Sequence, residues 1–367
     1  MDKMRTIDER TPPAEAVDPQ SIRGRFQRAL AGEPIDWPVF AVYDWFVQHR
    51  PIDWPSLFVQ GLGQINHANL IETRRPNLQV VETTHQTDRG VRRDVRWITD
   101  RGELHEWYLG EWRQEYLIKS PQDYRIVQRA FEGSQFTATD EHFLQSEAAL
   151  GDGGITVGHL WRTPLMETQI DLAGLERCSL DLADEHPALL QLLELMADLL
   201  LRQVREAVKT PAQYIKLWEN LSIETIGRRQ YRRHLIPSYH KVLEILDAAG
   251  KRLLVHYDGK LRLISDDIAA LPIDGIDSFT PPPEGDMSVA EARALWPDKF
   301  LWLHPSLGWY RECPAVLTDR ISRMIDEAGT RRFCLMISED VPPAWEQTVP
   351  LVLQACQSKM FKGAKSP

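Results

Sequence analysis

The chain is short of cysteine, of long apolar runs and of positive charge. Only four cysteines occur in 367 residues, Cys178, Cys313, Cys334 and Cys356, and no two form a CxxC pair. No disulfide framework follows from that spacing, and a reduced, cytoplasmic chain is the simplest reading. Cys334 lies inside an apolar run and reads as a small buried hydrophobe rather than a nucleophile. Basic residues number 43 against 53 acidic ones, a net charge of −10, which argues against a nucleic-acid partner. No window approaches the roughly 18 apolar residues of a membrane span, so no membrane partner is expected. The opening "MDKMRTIDERTPPAEAVDPQ" has no apolar centre, so it is not a secretory signal. Residues 1–19 read as a disordered arm and 20–367 as one domain. No GxGxxG follows the first strand-like run, which weakens a dinucleotide-binding reading.

What is present is a large apolar fraction, 43%, dealt out in short runs. These are "PVFAVY" (38–43), "ITVGHL" (155–160), "YIKLWE" (214–219), "RLLVH" (252–256), "IDSFT" (276–280), "FLWLH" (300–304) and "RFCLMI" (332–337). They are mostly without polar alternation, which suits strands buried on both faces of a parallel sheet. Amphipathic segments separate them. Residues 186–209 have an apolar face and a basic end, 237–251 open on proline and close on Gly250, and 288–296 and 313–329 follow the same plan. Strand then helix, repeated, predicts βαβ units. Residues 78–118 alternate polar and apolar, with "DRG" twice, and read as antiparallel hairpins inserted between strands. The fold class predicted is α/β, a (β/α)8 TIM barrel with an inserted β-hairpin region. The eighth strand is expected near "SLFVQ" (56–60) or in the hairpin region.

A barrel of this kind works at the C-terminal ends of its strands. Read to their ends, the runs deliver Tyr43 and Asp44, His159 and Trp161, Glu219 and Asn220, His256 and Asp258, Thr280, His304, and a last group ending in Glu339 and Asp340. Some of these acids are expected to be helix caps, Asp286 and Asp340 first among them. His256 and Asp258 are two apart, so they share a face of a strand and can point into one pocket. They are competent metal ligands, or an imidazole with its orienting carboxylate, or a histidine capped by a turn acid. Trp45, Trp161, Trp218 and Trp309 fall near strand exits and suit a flat apolar substrate.

Several stretches resemble the uroporphyrinogen decarboxylase superfamily in order and spacing: "SIRGRFQRALAGEPIDWPVF", "GELHEWYLGEWRQEYLIKSPQDY", "YIKLWENLS", "IPSYHKVLEILDAAGKRLLVHYDGK", "GIDSFTPPPEGD" and "FCLMISEDVPP". The resemblance implies a (β/α)8 barrel over about residues 20–357. It departs from uroporphyrinogen decarboxylase itself, because "VYDWFVQHR" stands where that enzyme carries an arginine-rich segment. The other branch holds corrinoid-linked methyltransferases, whose zinc is bound by H-x-C and a later cysteine. Here His256 is kept, Asp258 replaces the first cysteine and Glu339 the second, a harder donor set suited to oxygen or nitrogen groups. What the resemblance implies is a metal-dependent methyltransferase for a small methoxyl or methylamine compound. Zinc or another divalent ion would sit on His256, Asp258 and Glu339, and a corrinoid on a partner protein would carry the methyl group. Glu219, Asp44, Tyr43 and His304 are the catalytic candidates. Asn220, Trp45, Trp161, His159 and Thr280 are the substrate-binding ones. A metal-free decarboxylase or lyase acting on a small carboxylic acid, and a non-catalytic ligand-binding protein, are the alternatives; a homodimer is left open.

Overall fold

The computed structural model describes residues 18–337, 340, 342 and 344–359. The expected arm over residues 1–19 lies, but for its last two residues, outside them. Eight parallel strands close into a barrel. In chain order they are β1 Phe40–Tyr43, β2 Gly63–Asn69, β3 Gly154–Leu160, β4 Tyr214–Leu217, β5 Arg252–His256, β6 Gly275–Phe279, β7 Phe300–Leu303 and β8 Phe333–Met336. Each pairs with its sequence neighbours, and β8 returns to β1. The (β/α)8 expectation is thus met, and seven of the strands coincide with the apolar runs.

The eighth strand is not where the sequence suggested. Residues 56–60 belong mostly to the helix Trp54–Val59, capped by Asp53. The missing strand is β2, "GQINHAN". It escapes a search for apolar runs because its polar side chains are satisfied inside the fold. Asn66, for instance, accepts from Gln64 and donates to Ser146 on the helix packed outside. The hairpin insertion is as expected: Gln79–Thr87, Gly90–Thr99, Gly102–Leu109 and Trp112–Glu115 form a four-stranded antiparallel sheet between β2 and β3. Both "DRG" segments make its two-residue turns, with Gly90 and Gly102 at positive φ.

Side chains cap some of the helices, as Ser21, Asp53, His186 and Ser288 do, but neither acid expected as a cap serves as one. Ser288, not Asp286, caps Val289–Leu295 and completes a capping box with Glu291. Asp286 instead accepts the backbone N–H groups of Leu261 and Arg262, tying the loop after β5 to the loop after β6. Asp340 does not cap the last helix, which starts at Trp345; it pairs with Arg50 at 3.0 Å. The continuous core lies between the barrel wall and its helices. Cys178, Cys334 and Cys356 are part of it. Among the described residues no helix is long and apolar enough to cross a membrane.

Candidate active site

The barrel interior turns polar toward the C-terminal ends of the strands. Asp277 on β6 and Lys216 on β4 both have fully buried side chains, with Nζ 2.8 Å from Asp277 Oδ2. The same oxygen accepts from His256 Nδ1 at 2.8 Å, while Asp277 Oδ1 accepts the Tyr43 hydroxyl. Tyr43 also meets His304 Nε2 at 3.2 Å. A local irregularity in β6 delivers Asp277. The register between β6 and β7 slips by one residue between Ile276 and Phe279, and Ser278 sits at φ 68°. A bulge of this kind re-aims a side chain, and a non-glycine residue held there stores strain at a functional place.

Lys216 is enclosed by rings. Its ammonium lies 3.5 Å from the centre of Trp218, 5.0 Å from Tyr43 and 5.3 Å from Trp302, so cation–π attraction supplements the ion pair with Asp277. Nζ also lies 2.6 Å from His67 Nε2 on β2. An ammonium has no acceptor, so this imidazole nitrogen must be bare. His67 is then the Nδ1–H tautomer, donating to Asp44 Oδ1 at 3.1 Å. Its pKa agrees: burial, then repulsion from Lys216, hold it down to about 4 against the pull of Asp44. Asp44 is half-buried, which would raise its carboxyl, but its bonds from His67 outweigh that and keep it below the usual range.

His256 is the opposite case. Burial alone would lower its pKa. The charge of Asp277 and the bonds to Asp258 and Asp277 raise it to about 9. Burial would likewise raise Asp277, yet Lys216 and His256 hold it well below the ordinary carboxylate value. At neutral pH the imidazolium therefore has Nδ1–H on Asp277 and Nε2–H toward Asp258, whose Oδ2 is 3.7 Å away. Both rings sit close to tryptophan: Trp218 lies tilted against them, its centre 5.2 Å from His256 and 4.8 Å from His67.

Above this network opens a cavity of about 440 Å³ bordered by Tyr43, Asp44, Trp45, Phe46, His67, Trp161, Arg162, Trp218, Asn220 and His256. Seven of the residues read from the sequence as site candidates therefore face one space: Tyr43, Asp44, Trp45, Trp161, Trp218, Asn220 and His256. Asp258 stands at its edge, 3.4 Å from Asn220 Nδ2, and His304 touches Tyr43 beneath it. His159 borders a neighbouring cavity, with its ring edge-on to Trp218 at 6.1 Å. Burial, then His67 and Lys216, push it down to about 3. The remaining candidates are turned away from this cavity. Glu219 is fully buried, its oxygens accepting the Thr163 N–H and hydroxyl and the Tyr239 hydroxyl. Burial pushes it up to about 7. Thr280 donates to the Ser278 carbonyl at 3.2 Å. Trp309 packs beside Arg320, 5.5 Å from its guanidinium. Glu339 lies outside the described residues. Sequence reasoning missed Lys216, Asp277 and His67. The first two were visible as lone charges inside apolar strands, "YIKLWE" and "IDSFT".

Of the expected metal ligands, His256 Nε2 and Asp258 Oδ2 stand 3.7 Å apart at the cavity rim, and Glu339 lies outside the described residues. Among the described residues no three His, Cys, Asp or Glu side chains converge on one point. Nδ1 of His256 is committed to Asp277, a carboxylate that the Lys216 ammonium shares, so Nε2 is the nitrogen that faces Asp258.

Comparison with known proteins bears out the resemblance read from the sequence. The family model for uroporphyrinogen decarboxylase (URO-D) matches residues 170–301, the stretch that carries Lys216, His256 and Asp277. No curated sequence matches the chain. Among solved structures, a methyltransferase from Methanosarcina mazei superposes with a TM-score of 0.53 at 13% identity, covering 92% of this chain and 98% of that one. A B12-independent methionine synthase from Shewanella sp. W3-18-1 gives a TM-score of 0.42 at 10% identity, covering 83% of each chain. At such identities the likeness is one of fold.

Proposed function

We propose that the chain is a methyltransferase that takes a methyl group from a small methoxyl or methylamine compound, with a corrinoid on a separate protein, or a similar carrier, as acceptor. The observation that carries this reading is the imidazolium of His256 at the floor of an aromatic-walled cavity, held protonated by Asp277. When bound, the carrier supplies the nucleophile for the methyl carbon. The chain supplies what the departing heteroatom needs. As the C–O or C–N bond breaks, its electron pair stays on the heteroatom, and the His256 Nε2 proton completes that valence. Asp277 holds the ring in place, and Asp258 lies where Nε2–H points. Trp45, Trp161 and Trp218 exclude water and accept a flat or methylated group by stacking or cation–π contact.

The test is transfer from a methoxylated or methylamine substrate to free cob(I)alamin, followed by the absorbance of the methylated product. His256→Gln is expected to slow it by about 10²–10⁴-fold, the usual range for a general acid, while chelator leaves it unchanged. Loss of activity with chelator, restored by zinc, would replace the acid with a metal held by His256, Asp258 and Glu339. One observation favours a second reading, a decarboxylase or lyase on a small acid: Arg162 borders the same cavity. Its donors are engaged by Asp171, Asn220 and the Trp218 carbonyl, which weakens it as a carboxylate anchor. Release of CO2 without methyl transfer would select that reading, and ligand binding without any turnover would identify a non-catalytic protein.

A further inference from the structure

Beside the barrel mouth lies a second and larger cavity, of about 830 Å³. It is enclosed by the loops after β2 and β3, the antiparallel sheet, and the helices Asp123–Phe131 and Pro187–Ala207. Its size falls within the roughly 300–1,000 Å³ typical of small-molecule sites. Trp161 and Arg162 border both cavities, with the guanidinium 4.4 Å above the indole, and so form a partition between them. The far wall is apolar, with Trp97, Phe131, Phe136 and Leu200.

The charges around this chamber are unequal in their pairing. Glu106 is matched by Arg113 at 3.0 Å, and Asp171 by Arg162 at 3.0 Å. Arg75 and Glu167 are both half-buried against the cavity. Among the described residues neither side chain makes a hydrogen bond or an ion pair; Arg75 only stacks over Phe131, 4.6 Å from the ring centre. Burial pushes Glu167 up to about 7, against the pull of Arg75. A guanidinium on an aromatic face that borders the chamber with no carboxylate bound to it is a planar fork without its partner.

We propose that this chamber binds an amphipathic organic carboxylate, its acid group on the Arg75 guanidinium and its apolar or aromatic body between Trp97, Phe136 and Leu200. The Glu167 carboxyl is placed to hydrogen-bond a second polar group on the same molecule. The site stands apart from the His256 network and does not depend on methyl transfer.

The test is calorimetric titration of the full chain with 2-naphthoate and, as its uncharged counterpart, 2-naphthamide. One 2-naphthoate per chain is expected. Arg75→Gln should weaken it at least tenfold and shift 2-naphthamide less than threefold. Leu200→Trp, which fills the chamber, should abolish both, and this arm decides the matter if Arg75→Gln fails to fold. His256→Gln should bind 2-naphthoate as the wild type does. The proposal is overturned by the absence of saturable binding, by an affinity indifferent to both chamber variants, or by loss of binding in His256→Gln, which would put the ligand in the barrel mouth.

Discussion

Replacing Asp277 by asparagine removes the one charge on which Lys216, His256 and Tyr43 converge, and its consequences can be worked out from the geometry. Asp277→Asn keeps the shape of the side chain but leaves two buried cations without a shared counter-charge. Breaking one partner of a buried ion pair typically costs about 3–5 kcal/mol, because the other partner stays desolvated. His256 reports the loss directly. Its pKa is about 9 because of Asp277 first and Asp258 second, so at pH 7.5 it is protonated about thirty to one. Without Asp277, burial and the nearby Lys216 ammonium act unopposed on that side, and the pKa is expected to fall below 6.5. The sign of the linked stability follows. A histidine whose pKa is raised on folding adds stability that is complete below 6.5 and is lost as pH rises through 9. For a shift of this size that is roughly 3 kcal/mol. Lys299, held down to about 8 by burial, works the other way in the same range. The quantity to follow is therefore the difference between wild type and Asp277→Asn. Histidine-labelled protein examined by NMR from pH 5 to 10, with His256→Gln to assign the resonance, gives the pKa. Urea unfolding at pH 6, 7.5 and 9.5 gives the energy. A wild-type His256 that titrates near 6.5, or a value near 9 that survives Asp277→Asn, refutes the account of the network and with it the proposed proton donor.

Lys216→Met should let His67 climb from about 4 toward 6.5, since the ammonium 2.6 Å away is gone; a resonance that still titrates near 4 would mean burial alone sets it. Glu219 and Glu167 both have carboxyls raised to about 7, and acids raised on folding lose stability as pH climbs from 4.5 through 7. Glu219→Gln should therefore remove about half of that slope in urea titrations, and an unchanged slope would contradict the burial argument. Gly154→Ala would place a Cβ 1.9 Å from the Gln64 carbonyl oxygen, in the seam where β2 pairs with β3. Backbone cannot yield as a side-chain tip does, so the cost should exceed about 4 kcal/mol, seen as a large fall in the unfolding midpoint; a drop of only a degree or two would show the seam is looser than drawn.

The parts of the site that sequence reasoning reached are those that sit at the last residue of a strand or just beyond it. Tyr43, Asp44, Trp161, Asn220 and His256 were legible because the rim of a barrel is where side chains leave the wall. Lys216 and Asp277 are the third residues of β4 and β6, and there the same rule looks past them. The hydrophobic pattern made both strands identifiable, yet it also gives these two residues their meaning. A strand buried on both faces has no solvent for a charge, so a lysine in "YIKLWE" and an aspartate in "IDSFT" each demand an opposite partner inside the fold. That they are each other's partner does not follow from the chain. They are 61 residues apart, and β5 stands between their strands. The bulge that turns Asp277 to the interior leaves no mark in composition either. His67 was hidden for a different reason: β2 is polar, because its side chains are satisfied by Asp44, Ser146 and Lys216 rather than by apolar packing. A strand whose polar groups are all claimed within the barrel reads as a loop until its partners are known. The residues that escape pattern reading are thus the ones whose burial costs most, and compensating that cost is what assembles them into one network.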